Sequence, residues 1–293
     1  MSDRNIVGFI GTGVMGSSMA GHLLAGGNEV HVYNRTKSKA EKLVEAGAVW
    51  EDSPASLAQK CSVIFTIVGY PKDVEEVYLG KNGLIESAAK GSLLVDMTTS
   101  SPKLAERISE AGRARGISVL DAPVTGGDRG AREAKLTILV GGEKEDFERA
   151  LPYFSLMGTN IRHMGKAGCG QYTKLVNQIT LAGTMTGMCE GLAFAKGCGL
   201  DQKEVLEAIS GGAAGSWSLT NYGPRILNGD FDPGFFVKHY IKDMKLAEEA
   251  ADEMALDLPA LSLTRELYEE ICEGGLGDCG TQSLYCLYDP DDE

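Results

Sequence analysis

The sequence NIVGFIGTGVMGSSMAGHLLAGGNEVHVYNRTK, residues 5–37, decides the fold of this chain. Residues 5–10 form a short apolar run that predicts a buried strand, residues 17–25 read as a helix, and residues 29–33 predict a second strand. The strand and the helix are joined by GTGVMG, which matches G-x-G-x-x-G in the context of a dinucleotide-binding unit. The stretch therefore predicts the first half of a nucleotide-binding α/β domain.

The three glycines of this turn have separate roles in such a unit. Gly11 permits the tight turn, Gly13 lets the backbone approach a pyrophosphate, and Gly16 lets helix and strand pack closely. The helix N-terminus adds amide donors and a partial positive charge. The alternative is a glycine-rich turn without a ligand. The predicted cofactor contacts here are Gly11, Thr12, Gly13, Val14, Met15 and Gly16.

The second predicted strand is followed by Asn34, Arg35 and Thr36, where an NAD-binding chain would place an Asp or Glu. A carboxylate would repel the 2′-phosphate of NADP, whereas a neutral residue followed by an arginine favours it. We therefore predict that these three residues contact NADP(H), with NAD as the less favoured cofactor. The alternative is a solvated loop with incidental charge.

Strand and helix signals alternate as far as residue 164. Further strands are predicted at residues 63–68, 93–96, 118–120, 136–140 and 160–164, and helices at 37–46, from Pro54, 71–78, 102–115 and 143–154. This alternation predicts a parallel, doubly wound sheet of the Rossmann type. Ligands of such sheets bind beyond the carboxyl ends of the strands, so we expect residues 68–71 and 96–99 to line the cofactor cleft, with Val68 and Thr99 as cofactor contacts. The alternative for Thr98 and Thr99 is capping of the next helix.

Thr125, Gly126 and Gly127 follow another strand. Consecutive backbone amides in a flexible Thr-Gly-Gly turn form a small anion cradle that suits a carboxylate. The alternative is an ordinary surface loop.

The stretch GKAGCGQYTKLVNQITLAGTMTGMCEGLAFAKGCG, residues 165–199, contains no proline and predicts one long helix. Gly183, Gly187 and Gly191 recur every four residues, so we expect a smooth, buried face against which another element packs closely. Polar groups that are costly to bury stand in the first turns: Lys174, Asn177 and Gln178. A core helix with one lysine reaching out to solvent is the alternative to a functional site.

The composition restricts the possible functions. A net charge of −13 disfavours binding to nucleic acid or to an anionic membrane surface. The seven cysteines are scattered, no HExxH or CxxC occurs, and neither a secretory signal nor a membrane-spanning apolar run is evident, so we expect reduced thiols, no metal site and a cytoplasmic protein.

Taken together, these segments resemble the β-hydroxyacid dehydrogenase family over essentially the whole chain. GFIGTGVMG resembles the family's cofactor motif, DAPVTGG its substrate motif, GCGQYTKLVNQ its catalytic motif and YIKDMKLA its second cofactor motif. The resemblance implies that Lys174 is the catalytic lysine, that residues 125–127 hold a substrate carboxylate, and that Thr99 and Lys242 contact the cofactor. The family often has Asn four residues after the lysine, whereas this chain has Asn177 and then Gln178, either of which would orient substrate. Thr125 also stands where serine is commoner.

The resemblance implies an α/β Rossmann-type domain over residues 1–165, followed by an all-helical domain over residues 166–293 that begins with an interdomain helix, 166–198. It implies hydride transfer between NADP(H) and a small carboxylate-bearing semialdehyde, or its 3- or 4-hydroxyacid, in a homo-oligomer, dimer or tetramer. Three alternatives remain: an oxidative decarboxylase related to 6-phosphogluconate dehydrogenase, which is a longer protein; an imine reductase, which usually replaces the lysine; and a non-catalytic NADP sensor, which would not need Lys174.

Overall fold

The computed structural model describes residues 5–288 of the 293-residue chain. Their contacts divide the chain into two compact units, the first ending at Lys174 and the second beginning at Leu175. This division falls inside the long helix, whereas the sequence analysis placed the domain boundary at residue 165. No helix between residues 5 and 288 is both long and apolar enough to cross a bilayer.

Within residues 5–288, nine strands form one sheet, which lies in the first unit. They are β1 (Ile6–Ile10), β2 (Glu29–Tyr33), β3 (Val49–Trp50), β4 (Val63–Thr66), β5 (Leu93–Asp96), β6 (Ser118–Asp121), β7 (Val124–Thr125), β8 (Leu136–Gly141) and β9 (Gly158–Gly165). Their order is β3-β2-β1-β4-β5-β6-β8-β7, and β9 also pairs with β8. The strands from β1 to β6 are parallel, as predicted.

The predicted sheet was parallel throughout, and β8 and β9 are the exceptions. β8 runs antiparallel to β6 and β7, and β9 runs parallel to β8. The connection from β7 to β8 spans only residues 126–135. A parallel return needs a crossover of a dozen or more residues, so this short connection reverses the chain instead.

Alternate residues of the central strands supply the cores on the two faces of the sheet. Phe9, Phe65 and Val95 belong to one apolar cluster, whereas Ile64 and Leu94 belong to the other. This two-residue period is that of a strand buried on both sides, and it fixes the register of the parallel strands.

The helices of the first unit follow the predicted alternation with several differences. They are α1 (Val14–Ala25), α2 (Glu41–Glu45), α3 (Pro54–Lys60), α4 (Pro71–Leu79), α5 (Leu84–Ser87), α6 (Pro102–Ala114), α7 (Gly127–Arg132) and α8 (Lys144–Phe154). The predicted helix 37–46 begins instead with a 3-10 turn, Lys37–Ala40. The short elements β3, α5, β7 and α7 were missed, because two to six residues give little periodicity.

Helices make up the second unit, as predicted. They are α9 (Cys169–Gly197), which begins in the first unit, α10 (Gln202–Ser210), α11 (Trp217–Asn221), α12 (Gly223–Leu227), α13 (Val237–Glu253) and α14 (Pro259–Glu273), followed by 3-10 turns at Leu276–Asp278 and Thr281–Leu287. The core of this unit includes Met185, Tyr240 and Tyr268, all fully buried. Asp201 caps α10 by accepting the backbone N–H bonds of Lys203 and Glu204.

The expectation of a buried glycine face on α9 is wrong. Gly183, Gly187 and Gly191 are exposed, and a methyl group added at any of them would meet no described atom within 4 Å. The buried face of α9 is formed instead by larger side chains such as Met185 and Leu192. A four-residue glycine period marks one helix face, but it does not determine whether that face is buried.

Candidate active site

Two glycines of the cofactor turn are required by the fold itself. A methyl group at Gly11 would lie 1.9 Å from the Ile67 carbonyl oxygen, and one at Gly16 would lie 1.9 Å from the Gly11 carbonyl oxygen. Gly11 also has a φ of +95°, a conformation that side chains rarely adopt. These positions hold α1 close against β1 and β4.

Gly13 is different, because nothing in the described protein requires a glycine there. Its φ is −72°, and an added methyl group would meet no atom within 4 Å. The space lies at the N-terminus of α1, where amides and the helix dipole favour an anion. Beside it, Thr12 Oγ1 is buried and has no hydrogen-bond partner within residues 5–288. These features fit the pyrophosphate of a bound dinucleotide.

The residues after β2 divide into one that shapes the loop and others that remain exposed. Asn34 Oδ1 accepts the Thr12 N–H at 3.0 Å, and its Nδ2 donates to the Thr36 carbonyl at 2.8 Å. The Arg35 side chain is 84% exposed and pairs with Asp73 at 3.2 Å. Asn34 therefore ties the turn to the end of β2, while Arg35 and Thr36 lie at the surface.

Thr98 joins the carboxyl ends of two neighbouring strands. Its Oγ1 accepts the Val68 N–H after β4, and its own N–H donates to Asp96 Oδ1 at the end of β5, both at 3.0 Å. Thr99 is half-buried. The alternative that these threonines cap α6 is wrong, because Ser101 Oγ accepts the first-turn N–H of that helix.

Asp121, the last residue of β6, accepts the first backbone amides of the α9 region. Its Oδ1 accepts the Gly168 N–H at 2.8 Å, and its Oδ2 accepts the Gln171 N–H at 2.9 Å. Burial raises the pKa of Asp121 to about 6, although these backbone donors act in the opposite direction. The carboxyl end of β6 is thus bonded to the start of α9.

The Gln171 side chain adds a second connection. Its Oε1 accepts the Ser100 N–H at 2.9 Å, and its Nε2 donates to the Thr98 carbonyl at 2.7 Å. Gln171 is fully buried, and Lys174 stands one turn further along α9 with 7% of its surface exposed. The helix that carries the predicted catalytic lysine is therefore bonded to the loop after β5 and to the end of β6.

The predicted Thr-Gly-Gly cradle is a junction between regular elements. Thr125 ends β7, opposite Thr137 of β8, and Gly127 begins α7. Gly126 and Gly127 have φ values of +125° and +63°, which explains the two glycines. The predicted cradle therefore lies where β7 ends and α7 begins, rather than in a loop without regular structure.

In the second unit, one hydrogen-bonded chain joins three predicted site residues. Asn177 Nδ2 donates to Gln178 Oε1, and Gln178 Nε2 donates to Asp243 Oδ2, each at 2.7 Å. The other oxygen of Asp243 pairs with Lys242 Nζ at 2.9 Å. The catalytic and second cofactor motifs therefore meet through Asp243.

The sequence analysis assigned no role to three polar residues of these hydrogen-bond chains: Asp121 and Gln171 in the first unit and Asp243 in the second. All three are at most 3% exposed. Each lies inside or beside a recognised motif, so a signal was available. Their hydrogen-bond partners, however, lie as far as 73 positions away along the chain.

Comparisons with known proteins cover both units. A family model described as the NAD binding domain of 6-phosphogluconate dehydrogenase matches residues 6–165. A second one, described as NAD-binding of NADP-dependent 3-hydroxyisobutyrate dehydrogenase, matches residues 168–288. The uncharacterized oxidoreductase YkwC of Bacillus subtilis is 53% identical over 97% of this chain and 99% of its own length. The 2-hydroxy-3-oxopropionate reductase of Escherichia coli is 38% identical over 92% of each chain. The solved structure of 3-hydroxyisobutyrate dehydrogenase with L-serine from Mycobacterium tuberculosis is 26% identical over 98% of this chain and 99% of its own, with a TM-score of 0.90.

Proposed function

The chain belongs to the β-hydroxyacid dehydrogenase family, and on that premise we propose that it transfers hydride between NADP(H) and a small semialdehyde bearing a carboxylate, or its 3- or 4-hydroxyacid. The observation that carries this proposal is the burial of Lys174. Its helix is bonded to the carboxyl ends of β5 and β6, the edge at which a doubly wound sheet binds its dinucleotide.

The preference for NADP(H) rests on the end of β2. No carboxylate stands at residues 34–36 to repel a 2′-phosphate, and the Arg35 guanidinium is exposed beside the exposed Thr36. The ion pair with Asp73 is surface-exposed on the arginine side, where such pairs contribute little stability, so a phosphate can replace it as partner. Gly13 and the buried Thr12 hydroxyl would hold the pyrophosphate.

The substrate carboxylate is assigned to residues 125–127. Their backbone is held between β7 and α7, and two successive glycines leave the amides uncovered by side chains. The E. coli relative is named for a three-carbon semialdehyde acid, and the Mycobacterium structure is described with L-serine, which has a carboxylate and a 3-hydroxyl. A ligand of this size places the reacting carbon two bonds from its carboxylate.

Lys174 is the proposed general acid and base. When bound, the nicotinamide supplies or accepts the hydride. During reduction the carbonyl oxygen gains negative charge, and a protonated Lys174 Nζ donates a hydrogen bond to that oxygen and then gives it the proton. During oxidation Nζ takes the proton back from the hydroxyl group. A buried position favours this role, because an electrostatic contact is stronger where water is excluded.

Asn177 is the better candidate of the two amides for orienting substrate. Gln178 is almost fully buried, and both ends of its amide are engaged by Asn177 and Asp243. Asn177 is only half-buried and uses its Nδ2 in that chain. Gln178 then orients Asn177, and Lys242, paired with Asp243, remains the predicted cofactor contact from this unit.

The decisive experiment follows NADPH oxidation at the nicotinamide absorbance band with glyoxylate, tartronate semialdehyde, methylmalonate semialdehyde and succinic semialdehyde. It is then repeated with NADH. Turnover of one of these aldehydes with a clear NADPH preference supports the proposal and defines the substrate length. Equal rates with NADPH and NADH would contradict the proposal that Arg35 favours binding of the 2′-phosphate.

The same assay tests the alternatives. Tight NADPH binding without turnover of any aldehyde contradicts the proposal, and a cyclic imine then distinguishes an imine reductase from a sensor. Release of carbon dioxide during oxidation of a hydroxyacid would indicate a decarboxylase. The predicted homo-oligomer remains a prediction, which sedimentation velocity tests.

A further inference from the structure

We infer that Gln171 is a positioning residue that fixes the predicted cofactor contact Thr99 and the proposed proton donor Lys174 in one register. This inference rests on the proposed function of Lys174. It starts from the two backbone groups that the Gln171 amide joins, the Thr98 carbonyl and the Ser100 N–H. These groups flank Thr99, so one side chain holds the backbone on both sides of it.

Both ends of the Gln171 side-chain amide make hydrogen bonds. Its oxygen accepts and its nitrogen donates, at 2.9 Å and 2.7 Å, in a fully buried setting. Such a paired contact without solvent access resists displacement, because breaking either hydrogen bond leaves a buried polar group unpaired.

The bonded chain extends in both directions from this amide. Thr98 connects it to the Val68 N–H at the end of β4 and to Asp96 of β5. The Gln171 backbone N–H connects it to Asp121 of β6. Three adjacent strand ends thus converge on one residue of α9.

Lys174 follows Gln171 by three positions, so the two lie one turn apart on neighbouring parts of the helix surface. Fixing Gln171 therefore fixes both the rotation and the height of Lys174 relative to the loop that contains Thr99. The proposed reaction moves a hydride and a proton to adjacent atoms. The position of Lys174 relative to the Thr99 loop therefore decides whether the nicotinamide and the lysine can both reach those atoms. A displacement of about 1 Å in such a site costs roughly 100-fold in rate.

The chain offers a matched control in Gln282. It is also fully buried, and its Nε2 donates to two backbone carbonyls, those of Asp230 and Asp232, at 3.0 and 3.1 Å. Gln171→Met and Gln282→Met each replace a buried amide by an apolar chain of similar length. Each variant loses two side-chain hydrogen bonds to backbone groups, but only Gln171→Met releases the loop around Thr99.

The first test compares both variants with the unmodified enzyme on the aldehyde that the latter reduces. Gln171→Met is expected to lower kcat about 10- to 100-fold, to change the NADPH Kd much less, and to raise the primary isotope effect with NADPH deuterated at the transferred position. Gln282→Met is expected to lower the Tm but to leave the isotope effect, and kcat per folded molecule, unchanged. An unchanged kcat and isotope effect in Gln171→Met, or equal losses in both variants, would overturn the inference.

A second measurement does not depend on turnover and separates failure of this inference from failure of the proposed function. Hydrogen exchange by mass spectrometry reports on the backbone amides of residues 97–101 and of the first turns of α9. Both segments are expected to exchange faster in Gln171→Met than in Gln282→Met. Equal exchange in the two variants would show that Gln171 does not hold the register, whatever reaction the protein catalyses.

Discussion

The carboxylate of Asp121 accepts the backbone N–H of Gln171, with 2.9 Å between Oδ2 and N. An anion at this place is favoured by the unpaired amides of a helix start. It is also costly, because Asp121 is 3% exposed, and burial raises its pKa to about 6. The charge that orients the start of α9 is therefore lost in mildly acidic solution.

This raised pKa predicts a specific dependence of stability on pH. The unfolded carboxyl titrates near 3.8 and the folded one near 6, so the folded state binds the proton more tightly. The contribution of this group to the free energy of unfolding is full below pH 3.8 and is lost as the pH rises through 6, a change of about 3 kcal/mol. Urea unfolding of the unmodified protein and of Asp121→Asn from pH 4 to 8 measures this contribution. The free energy of unfolding of the unmodified protein minus that of the variant should fall as the pH rises. A value that does not change with pH would contradict the assignment.

Gly13→Ala is expected to fold normally and to bind NADPH about 10- to 100-fold more weakly. The added methyl group meets no described protein atom within 4 Å, so only a ligand in that space is displaced. Fluorescence titration with NADPH and a thermal melt measure the two effects separately. Gly187→Ala, on the exposed face of α9, is the control that should gain up to about 1 kcal/mol of stability and leave binding unchanged. Unaltered binding in Gly13→Ala would place the pyrophosphate elsewhere.

Arg35→Ala is expected to weaken NADPH binding about tenfold and to leave NADH binding unchanged. The proposal gives the exposed Arg35 side chain a charge-assisted hydrogen bond to the 2′-phosphate, and this variant would lose that bond. Arg107→Ala removes another exposed arginine that is paired with a carboxylate, Glu75, and it should alter neither affinity. Dissociation constants for both cofactors decide the point. Parallel losses for NADPH and NADH would assign Arg35 to the loop rather than to the phosphate.

Lys174→Ala is expected to lower the rate of aldehyde reduction by about two to four orders of magnitude and to retain cofactor binding. The variant lacks the group proposed to give a proton to the developing alkoxide. Lys245→Ala removes an exposed lysine that pairs with Glu269, and its rate should be unchanged. Steady-state kinetics with saturating NADPH make the comparison. Near-normal turnover in Lys174→Ala would remove this residue from the mechanism.

Much of the fold could be predicted from the sequence, because its strongest signals are local. The glycine turn after β1 and the alternating apolar runs place most of the sheet, and Pro54 and Pro102 identify helix starts correctly. The reversal at β8 was missed, since direction depends on the length of a connection whose helix α7 has only six residues.

The candidate site was only partly predictable for a different reason. Motifs identify residues such as Lys174 and Gly13, but they do not say which polar residues bond to one another. Asn34 was predicted as a cofactor contact, and its side chain is occupied by the backbone of Thr12 and Thr36. Pairs separated by 22 to 73 positions are determined by tertiary packing, which no local pattern encodes.

The bond from Asp121 to Gln171 also bears on the order in which the chain folds. Its partners lie 50 positions apart, so the first turn of α9 acquires this acceptor only when tertiary packing brings Asp121 to it. If this contact forms late in folding, mutations at the start of α9 should accelerate unfolding more than they slow folding. A nascent or partly denatured chain in which β6 is not yet packed against α9 lacks the acceptor that orients the first turn of the helix carrying Lys174.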